Sequence, residues 1–442
     1  MDVSTALRLQ AGDVVAFVGA GGKTSCIKKV VSEISQQMLV IATTTTKLAA
    51  HEASLATKHY VIQTSHELDE VLCELSSTGA VLFTGPKIGQ EDKWTALDPA
   101  DLTRLISFTK EQAGIVLIEA DGAKGAKIKA PAAHEPVIPP DATVVVPLLR
   151  IDALGLRSED GQVHRPKLLT ELLGIEQNQS LSVEHMACLI SHERGGLKGI
   201  PEEADVRVFV NAVDSNELNS AAQTLASTLI KDDRIRSVLI GSLHAADPVL
   251  EVWGKTGVIV LAAGGSKRFG APKLLQSWQG KPILRQVVAM VVGSDILPAV
   301  VVLGANYEEV KGGIVDLGIP TLKNPSWSSG QSSSVKVGLE SIQDKCEAVI
   351  FVLGDMPDVE HELLKSLVET HRRTLHAIIA PFAGDRWGNP VLFDNCTFDD
   401  LFSLDGDRGG RALFDRYPPL AIPADASVLF DIDTPDDLAI DD

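Results

Sequence analysis

Two apolar runs in this chain are each followed at once by a glycine-rich, cationic loop, and this pattern constrains the fold most. The first run, VVAFVG at 14–19, leads into AGGKTS, and the second, VIVLAA at 258–263, leads into GGSKRFG. A run that is apolar at every position suits a strand buried on both faces of a parallel sheet. Glycine lets the backbone approach an anion closely, and peptide N–H groups together with Lys or Arg bind phosphate. We therefore expect a phosphate-binding loop at the end of a buried strand in each half of the chain.

Further strand-like runs alternate with helix-length segments throughout the 442 residues. They lie at 39–46, 80–85, 114–122, 142–149, 206–214 and 237–243, and then at 299–305, 348–357 and 376–382. Strands separated by helices indicate α/β architecture with parallel sheets covered on both faces. The periodicity is lost near residues 252–256, which predicts two domains, 1–252 and 257–442. We expect an N-terminal P-loop-like parallel sheet and a C-terminal Rossmann-like sheet.

Composition limits the partners and the compartment. The chain has a formal net charge of -19, with 45% apolar and 22% charged residues. Nucleic acids and anionic membranes require a basic surface, so we expect neither as a partner. The five cysteines are far apart and lack CxxC spacing, which favours reduced thiols. The first ten residues match neither a signal peptide nor a spanning segment, so we expect a cytoplasmic protein.

The N-terminal loop contains the elements of a phosphate site. Peptide N–H groups at a helix N-terminus, a lysine and a hydroxyl suit phosphate and Mg²⁺, although Phe17 replaces the first glycine of the GxxxxGK(S/T) spacing. Acidic residues that end the run at 114–122 suit a metal-holding segment. We predict binding of ATP or GTP phosphates; a tight strand-to-helix turn is the alternative. The predicted residues are Gly19, Gly21, Gly22, Lys23, Thr24, Ser25, Glu119 and Asp121.

In the second half, polar loops follow the apolar runs, and ligands of open α/β sheets bind at those carboxyl ends. Asp355 lies at the carboxyl end of the run at 348–357 and would suit a hard divalent cation, with a helix cap or turn residue as the alternative. Four more motifs follow LAAGGSKRFGAPKLL (261–275) in order. They are NPSWSSGQSSSVKVGL (324–339), GNPVLF (388–393), LDGDRGGRALF (404–414) and DIDTPDDL (431–438).

Over about residues 257–442 these motifs resemble the MobA-like nucleotidyltransferases, most closely the molybdenum cofactor cytidylyltransferase branch. The resemblance implies in-line attack of a phosphate on a nucleotide α-phosphate, with release of pyrophosphate and with Mg²⁺ as cofactor. It implies Arg268, Lys273 and Asp355 as catalytic residues, and Asp355 and Asp433 as metal ligands; for Asp433 a helix cap is the alternative. The implied nucleotide-binding residues are Leu261, Ala262, Ala263, Gly264, Gly265, Lys273, Asn324, Gly330 and Ser333.

The same resemblance bears on the substrates. It links LAAG to the cytidylyl branch, and the extra Cβ of Ala263 would trim the space for a purine. CTP would then be the nucleotide, and molybdopterin, with or without molybdenum, the acceptor. Guanylyl transfer, a sugar-phosphate substrate, and a non-catalytic carrier or chaperone of the molybdenum cofactor are the alternatives. Asn389 stands where a histidine is common, which leaves the acceptor contacts open.

The first half carries motifs of another family. GAGGKT, TTTTK, EADG, APAAHEPVIP and HRPK resemble the YqeC-type accessory proteins of selenium-dependent molybdenum hydroxylases, over about residues 5–250. This resemblance implies cofactor maturation for a molybdenum hydroxylase, whose apoenzyme would be a partner. It leaves the reaction of the first domain, and any involvement of selenium, open.

Overall fold

The computed structural model describes residues 1–49, 54–87, 92–265 and 269–441. The chain divides into two compact units, Met1–Trp253 and Gly254–Asp442, each built around its own large sheet. No helix within the described residues combines the length and the apolar character needed to cross a membrane.

The first unit contains a nine-stranded sheet. The eight strands from Ile235–Gly241 to Lys58–Val61 in the spatial order below pair in parallel. In spatial order the strands are Val249–Gly254, Ile235–Gly241, Asp205–Asn211, Val144–Arg150, Val14–Gly19, Ile115–Glu119, Leu39–Thr44, Gly79–Thr84 and Lys58–Val61. The strand before the first glycine loop is therefore central, and the predicted parallel sheet is confirmed.

Helices of the first unit connect these strands, and aliphatic side chains are buried between the helices and the sheet. One buried cluster includes Val14, Ile41 and Ile118, and another includes Val206 and Leu225. The helices are Val3–Ala6, Lys23–Ile34, Ser65–Cys73, Pro99–Glu111, Pro166–Leu173, Val183–Ser191 and Asn216–Leu229, with a short 3-10 helix at Ile151–Ala153. Two small ladders pair Ile128–Lys129 with Val163–His164, and Leu48–Ala49 with Lys93–Trp94.

The second unit contains a mixed sheet. Its first four strands are parallel, as expected of a Rossmann-like sheet, but Val391–Asp394 runs antiparallel to both of its neighbours. Only seven residues separate this strand from Ile378–Ala383, too few for the crossover that a parallel pair needs. In spatial order the strands are Thr321–Lys323, Ala299–Leu303, Thr256–Ala262, Ala348–Leu353, Val391–Asp394, Ile378–Ala383 and Arg386–Trp387, and Leu420–Pro423 pairs with Ile378–Ala383.

Both faces of this second sheet are covered. Val258 and Val260 of the central strand pack on one face, while Ile259 and Leu261 pack on the other. The helices are Ile283–Gly293, Tyr307–Gly312, Gln331–Ile342, His361–Thr374 and Phe398–Phe402. The 3-10 helices are Lys273–Leu275, Val315–Leu317, Trp327–Ser329, Gln343–Lys345, Asn395–Thr397, Gly410–Leu413, Ala426–Leu429 and Pro435–Asp441, and Ser277–Trp278 pairs with Lys281–Pro282.

Candidate functional site

The loop after the central strand of the first unit approaches its neighbours very closely. Gly19 has φ +89°, and a Cβ there would lie 2.4 Å from the carbonyl oxygen of Leu148. Gly22 has φ +135°, and a Cβ there would lie 2.7 Å from Nδ2 of Asn211. A side chain at either position is excluded by both backbone conformation and space. This glycine loop leads directly into helix Lys23–Ile34, so its N–H groups are grouped at a helix N-terminus.

The predicted phosphate-site residues of the first unit converge at this loop. The Lys23 ammonium donates to the carbonyl oxygen of Gly19 at 2.8 Å and lies 3.1 Å from Oδ1 of Asp121 and 3.8 Å from Oε1 of Glu119. The Thr24 hydroxyl donates to Oε2 of Glu119 at 3.0 Å. Gly21 lies in the same loop, and the half-buried Ser25 lies in the first turn of the helix. A hydroxyl and two carboxylates thus surround the lysine, a set of oxygen donors that suits Mg²⁺.

Two further cations, Lys129 and Arg165, and a third carboxylate, that of Glu135, extend this cluster. The Asp121 carboxylate accepts from the N–H of Gly19 at 2.9 Å and lies 2.7 Å from the ammonium of Lys129. Lys129 also donates to Glu135 at 3.0 Å, and Arg165 donates to both Glu135 oxygens, at 2.6 and 3.0 Å. Burial would raise the pKa of Glu135, but the hydrogen bonds from Arg165 and Lys129 outweigh it and lower this pKa to about 2. Asp121 therefore engages an N–H group and two ammonium groups of the kind that bind phosphate.

In the second unit, the central strand ends at Ala262 and the loop 263–265 turns over a tryptophan ring. The carbonyl oxygen of Ala263 accepts from the N–H of Ala305 at 3.3 Å. A Cβ at Gly265 would lie 2.6 Å from the ring of Trp327. The loop therefore contacts Ala305, which follows the neighbouring strand Ala299–Leu303, and Trp327, which precedes helix Gln331–Ile342. Leu261, Ala262 and Gly264 occupy this strand end and loop, as predicted.

The predicted cation and metal ligands of the second unit also meet. The Lys273 ammonium donates to Oδ2 of Asp355 at 2.7 Å and lies 3.4 Å from Oδ1 of Asp433, and only 13% of this side chain is exposed. The carbonyl oxygen of Asp355 accepts from the N–H of Ile432 at 3.1 Å, which joins the strand end to the DIDTP segment. Burial, followed by repulsion from Asp433 and Asp355, raises the pKa of Asp431. Three carboxylates thus gather around one lysine.

The loop 324–333 is organised by a buried asparagine. The Asn324 amide donates to the hydroxyls of Ser333 and Ser334 at 2.8 and 3.0 Å and accepts from the N–H of Ser326 at 2.9 Å. Asn324 is 1% exposed. Gly330 has φ +118°, and a Cβ there would lie 2.3 Å from backbone atoms of Gly406. The structure therefore places Asn324 and Gly330 as organisers of the loop, and their contact with a nucleotide stays a prediction.

A cavity of about 330 Å³ lies beside these groups in the second unit. Among its polar lining residues are Gln331, Asn389, Arg411 and Asp431, and its floor includes Phe351 and other apolar side chains. Burial and repulsion from a neighbouring arginine lower the pKa of Arg411, and attraction to Asp431 partly opposes this. Within the described residues, no salt bridge joins Arg411 to a carboxylate. The cavity thus combines one cation, one carboxyl group and two amides with apolar side chains.

Arg268 lies outside the described residues, so its predicted role stays a prediction. The described residues contain no cluster of three or more His, Cys, Asp or Glu arranged to hold a metal ion. Mg²⁺ commonly takes only one or two protein carboxylates, with phosphate and water supplying its other ligands.

Family comparison gives each unit an identity. Residues 15–167 match the family model described as YqeC protein, and residues 258–420 match the one described as MobA-like NTP transferase domain. The chain joins a YqeC domain to a MobA-like NTP transferase domain. The resemblances to the YqeC family and to the MobA-like family are thereby confirmed, and the MobA-like domain places the chain among the nucleotidyltransferases. The cytidylyl branch stays a prediction.

Relatives of both domains are found among known proteins. The uncharacterized protein YqeC of Escherichia coli (strain K12) is 26% identical over 242 residues, which are 52% of this chain and 88% of that protein. A probable molybdenum cofactor guanylyltransferase of Bacillus cereus (strain AH187) is 27% identical over 148 residues, 33% of this chain and 72% of that protein. The crystal structure of Rv0371c from Mycobacterium tuberculosis H37Rv is 25% identical, covering 42% of this chain and 96% of that one, with a TM-score of 0.39.

Sequence reasoning did not predict a role for several residues that the structure places at these sites. In the MobA-like domain they are Trp327, Arg411 and Asp431, and in the YqeC domain Asn211, whose amide donates to the carbonyl oxygen of Gly21 at 2.7 Å. Asn211 ends a buried strand and Asp431 lies two residues before Asp433, so the position of each in the sequence could have indicated a place in a site. Trp327 and Arg411 lie in quoted motifs, but their spacing alone does not indicate what they contact.

Proposed function

We propose that the MobA-like domain transfers CMP from CTP to molybdopterin, with or without its molybdenum, and releases pyrophosphate. The observation that carries this proposal is the meeting of Lys273, Asp355 and Asp433 beside the glycine loop at the carboxyl end of the central strand. Nucleotidyl transfer builds negative charge on phosphate oxygens, so it needs cations and a metal ion at such a position. The product would serve the maturation of a molybdenum hydroxylase, whose apoenzyme is the proposed partner.

The carboxylates of Asp355 and Asp433 would hold Mg²⁺ in this reaction. Both lie within 3.4 Å of one ammonium nitrogen, so both are within reach of a single bound cation. Mg²⁺ would supply charge neutralisation and orientation of the phosphates. Lys273, released from its carboxylates, would then donate to phosphate oxygens, and Arg268 is proposed as the second phosphate cation. Leu261–Gly265, Asn324, Gly330 and Ser333 are the proposed nucleotide-binding residues.

Nucleotide choice would depend on Ala263. Its Cβ is largely buried at the turn out of the central strand, where it would narrow the space available to a purine. CTP is therefore proposed over GTP. Guanylyl transfer is the second candidate, because the similar protein of Bacillus cereus carries the name of a guanylyltransferase.

We place the acceptor in the cavity of about 330 Å³, which is in the usual size range of small-molecule sites. Arg411 would bind the acceptor phosphate, since guanidinium and phosphate form paired hydrogen bonds. Gln331 and Asn389 present amides that suit the polar edge of a pterin, and Phe351 offers an apolar surface. Asp431 connects this cavity to the proposed metal carboxylates, so the bound phosphate would lie near the reacting centre.

The test measures pyrophosphate release from molybdopterin with CTP, GTP, ATP or UTP in the presence of Mg²⁺. We expect release with CTP, and a loss of at least about 100-fold in kcat for Asp355→Ala, comparable to losing a group that stabilises transition-state charge. Asp415→Ala, an exposed aspartate of the same domain, is the matched control and should keep full activity. Full activity in the Asp355 variant would disprove the metal assignment. Pterin binding without pyrophosphate release from any nucleotide would favour a cofactor carrier or chaperone.

For the YqeC domain we propose binding of Mg²⁺ and the phosphates of ATP or GTP at the first glycine loop. Lys23 would contact phosphate, while Thr24, Glu119 and Asp121 provide oxygen ligands near the metal. Lys23→Ala should abolish nucleotide binding to this domain, whereas Lys28→Ala, an exposed lysine on the same helix, should not. Calorimetric titration of the full chain with nucleotide and Mg²⁺ measures both. Unchanged binding in the Lys23 variant would refute the proposal.

A further inference from the structure

A buried asparagine ties the phosphate loop of the YqeC domain to a second loop. Asn211, 3% exposed, donates from its amide to the carbonyl oxygen of Gly21 at 2.7 Å, and its Oδ1 accepts from the N–H of Leu243 at 3.0 Å. Gly21 belongs to the glycine loop, and Leu243 follows strand Ile235–Gly241. Because Asn211 itself ends strand Asp205–Asn211, one side chain fixes three strand-end loops against each other.

The hydrogen bond between Asn211 and Gly21 holds the residues that follow Asn211 beside the phosphate loop. Strand Asp205–Asn211 lies two positions from strand Val14–Gly19 in the sheet, about 10 Å at ordinary strand spacing. A nucleoside spans such a distance. With its phosphates on the glycine loop, a bound nucleotide could therefore reach the residues that follow Asn211 with its base.

The residues that follow Asn211 include Asp214, whose carboxylate is exposed. Ala212 adopts φ +66°, a conformation that non-glycine residues seldom adopt and that often marks functional sites. Asp214 comes two residues later and is exposed. The next helix is already capped, because the Ser215 hydroxyl accepts from the N–H of Leu218. In the described part of the chain no hydrogen bond or salt bridge holds the Asp214 carboxylate, although it lies close enough to Arg150 to raise the pKa of that guanidinium.

We propose that the YqeC domain is selective for guanine nucleotides and that the Asp214 carboxylate binds the base. This inference rests on the proposed phosphate site of the same domain. Guanine presents two adjacent donors, N1–H and the 2-amino group, which match the two oxygens of a carboxylate. Adenine presents an acceptor nitrogen at that edge, and cytosine presents an acceptor nitrogen beside a carbonyl oxygen. A carboxylate accepts only, so it favours guanine over both.

The test titrates the full chain with the Mg²⁺ complexes of GDP, ADP and xanthosine diphosphate by calorimetry. Binding that survives in Lys23→Ala belongs to another site and is subtracted. We expect wild type to bind GDP at least about 100-fold more tightly than ADP, since a site built to pair donors rejects a base without them. Asp214→Asn should weaken GDP binding about 10- to 100-fold, the effect of losing hydrogen bonds to a charged group.

The same variant should gain affinity for xanthosine diphosphate by about tenfold or more. Xanthine has a carbonyl where guanine has its amino group, so an amide, with one donor and one acceptor, pairs with it better than a carboxylate does. A merely structural role for Asp214 would not produce this gain. Glu217→Gln, which removes an exposed carboxylate three residues away, should leave all three affinities unchanged.

The possible failures are distinguishable. If wild type binds GDP and ADP equally and Lys23→Ala abolishes both, the phosphate site stands and the guanine assignment is wrong. If Asp214→Asn loses GDP without gaining xanthosine diphosphate, the carboxylate does not bind the base. If no nucleotide binds in a Lys23-dependent manner, both proposals fall.

Discussion

Glu135→Gln tests whether the charge cluster beside the first glycine loop stabilises the YqeC domain. The Glu135 side chain is 11% exposed and accepts hydrogen bonds from Lys129 and Arg165. Lys129 is 1% exposed, so it depends on Glu135 and Asp121 for compensation of its charge. Glutamine keeps the size of the side chain but removes its charge and turns an N–H₂ group toward a cation. Truncating one partner of a buried charge cluster is strongly destabilising.

The expected magnitude follows from the pKa. The Glu135 pKa falls from 4.5 to about 2 on folding, because the hydrogen bonds from Arg165 and Lys129 outweigh the opposing effect of burial. A lowering of this size corresponds to about 3 kcal/mol of stabilisation at pH 7. Because the folded-state pKa is the lower one, this stabilisation is complete above pH 4.5 and is lost as the pH falls toward 2. The penalty of the substitution should therefore shrink by about 1 kcal/mol between pH 7 and pH 3.5.

The assay is urea unfolding followed by circular dichroism at both pH values, with hydrogen exchange at pH 7 assigning the change to the YqeC domain. Glu159→Gln, an exposed glutamate of the same domain, is the matched control and should change stability by less than about 0.5 kcal/mol. The reasoning is refuted if Glu135→Gln is as stable as wild type at pH 7. It is also refuted if the penalty is the same at both pH values.

Three further predictions concern the MobA-like domain. Ala263→Gly should raise kcat/KM for GTP relative to CTP by about tenfold, since pocket methyl groups discriminate by about that factor; an unchanged ratio in nucleotide competition would contradict this. Arg411→Gln should raise the KM for molybdopterin about 10- to 100-fold and leave the KM for CTP within twofold, while the exposed Arg408→Gln of the same loop should change neither. Gly330→Ala should destabilise the domain by about 1–3 kcal/mol through backbone strain and its approach to Gly406, and an unshifted melting temperature would argue against that packing.

Much of the fold was predictable because strands buried on both faces have few polar residues. The runs that became Val14–Gly19 and Ala348–Leu353 needed no tertiary information. Short edge strands such as Lys58–Val61 carry polar residues and no clear alternation, so they were not predicted. Val249–Gly254 formed in the segment whose periodicity is lost, because its position beside Ile235–Gly241 depends on the assembled sheet.

The candidate site residues could be predicted from the sequence where they follow directly after a buried strand. Lys23, Asp121 and Asp355 come directly after buried strands, and the ends of parallel strands meet at one edge. The contact between Asn211 and Gly21 joins residues 190 positions apart, so no local pattern contains it. Arg411 is similar, because its place in the cavity depends on how the loop that carries it folds back onto the sheet.

The two domains place their key lysines in similar surroundings. Lys23 lies between Asp121 and Glu119, and Lys273 lies between Asp355 and Asp433. At each proposed phosphate site, an incoming phosphate would compete with carboxylates for the lysine. If the carboxylates bind Mg²⁺ as proposed, that competition would fall and the ammonium would be able to donate to phosphate. Metal and nucleotide should therefore bind cooperatively, each raising the affinity for the other by the same factor. In a chain with a net charge of -19, this arrangement would also limit the capture of anions that arrive without a metal ion.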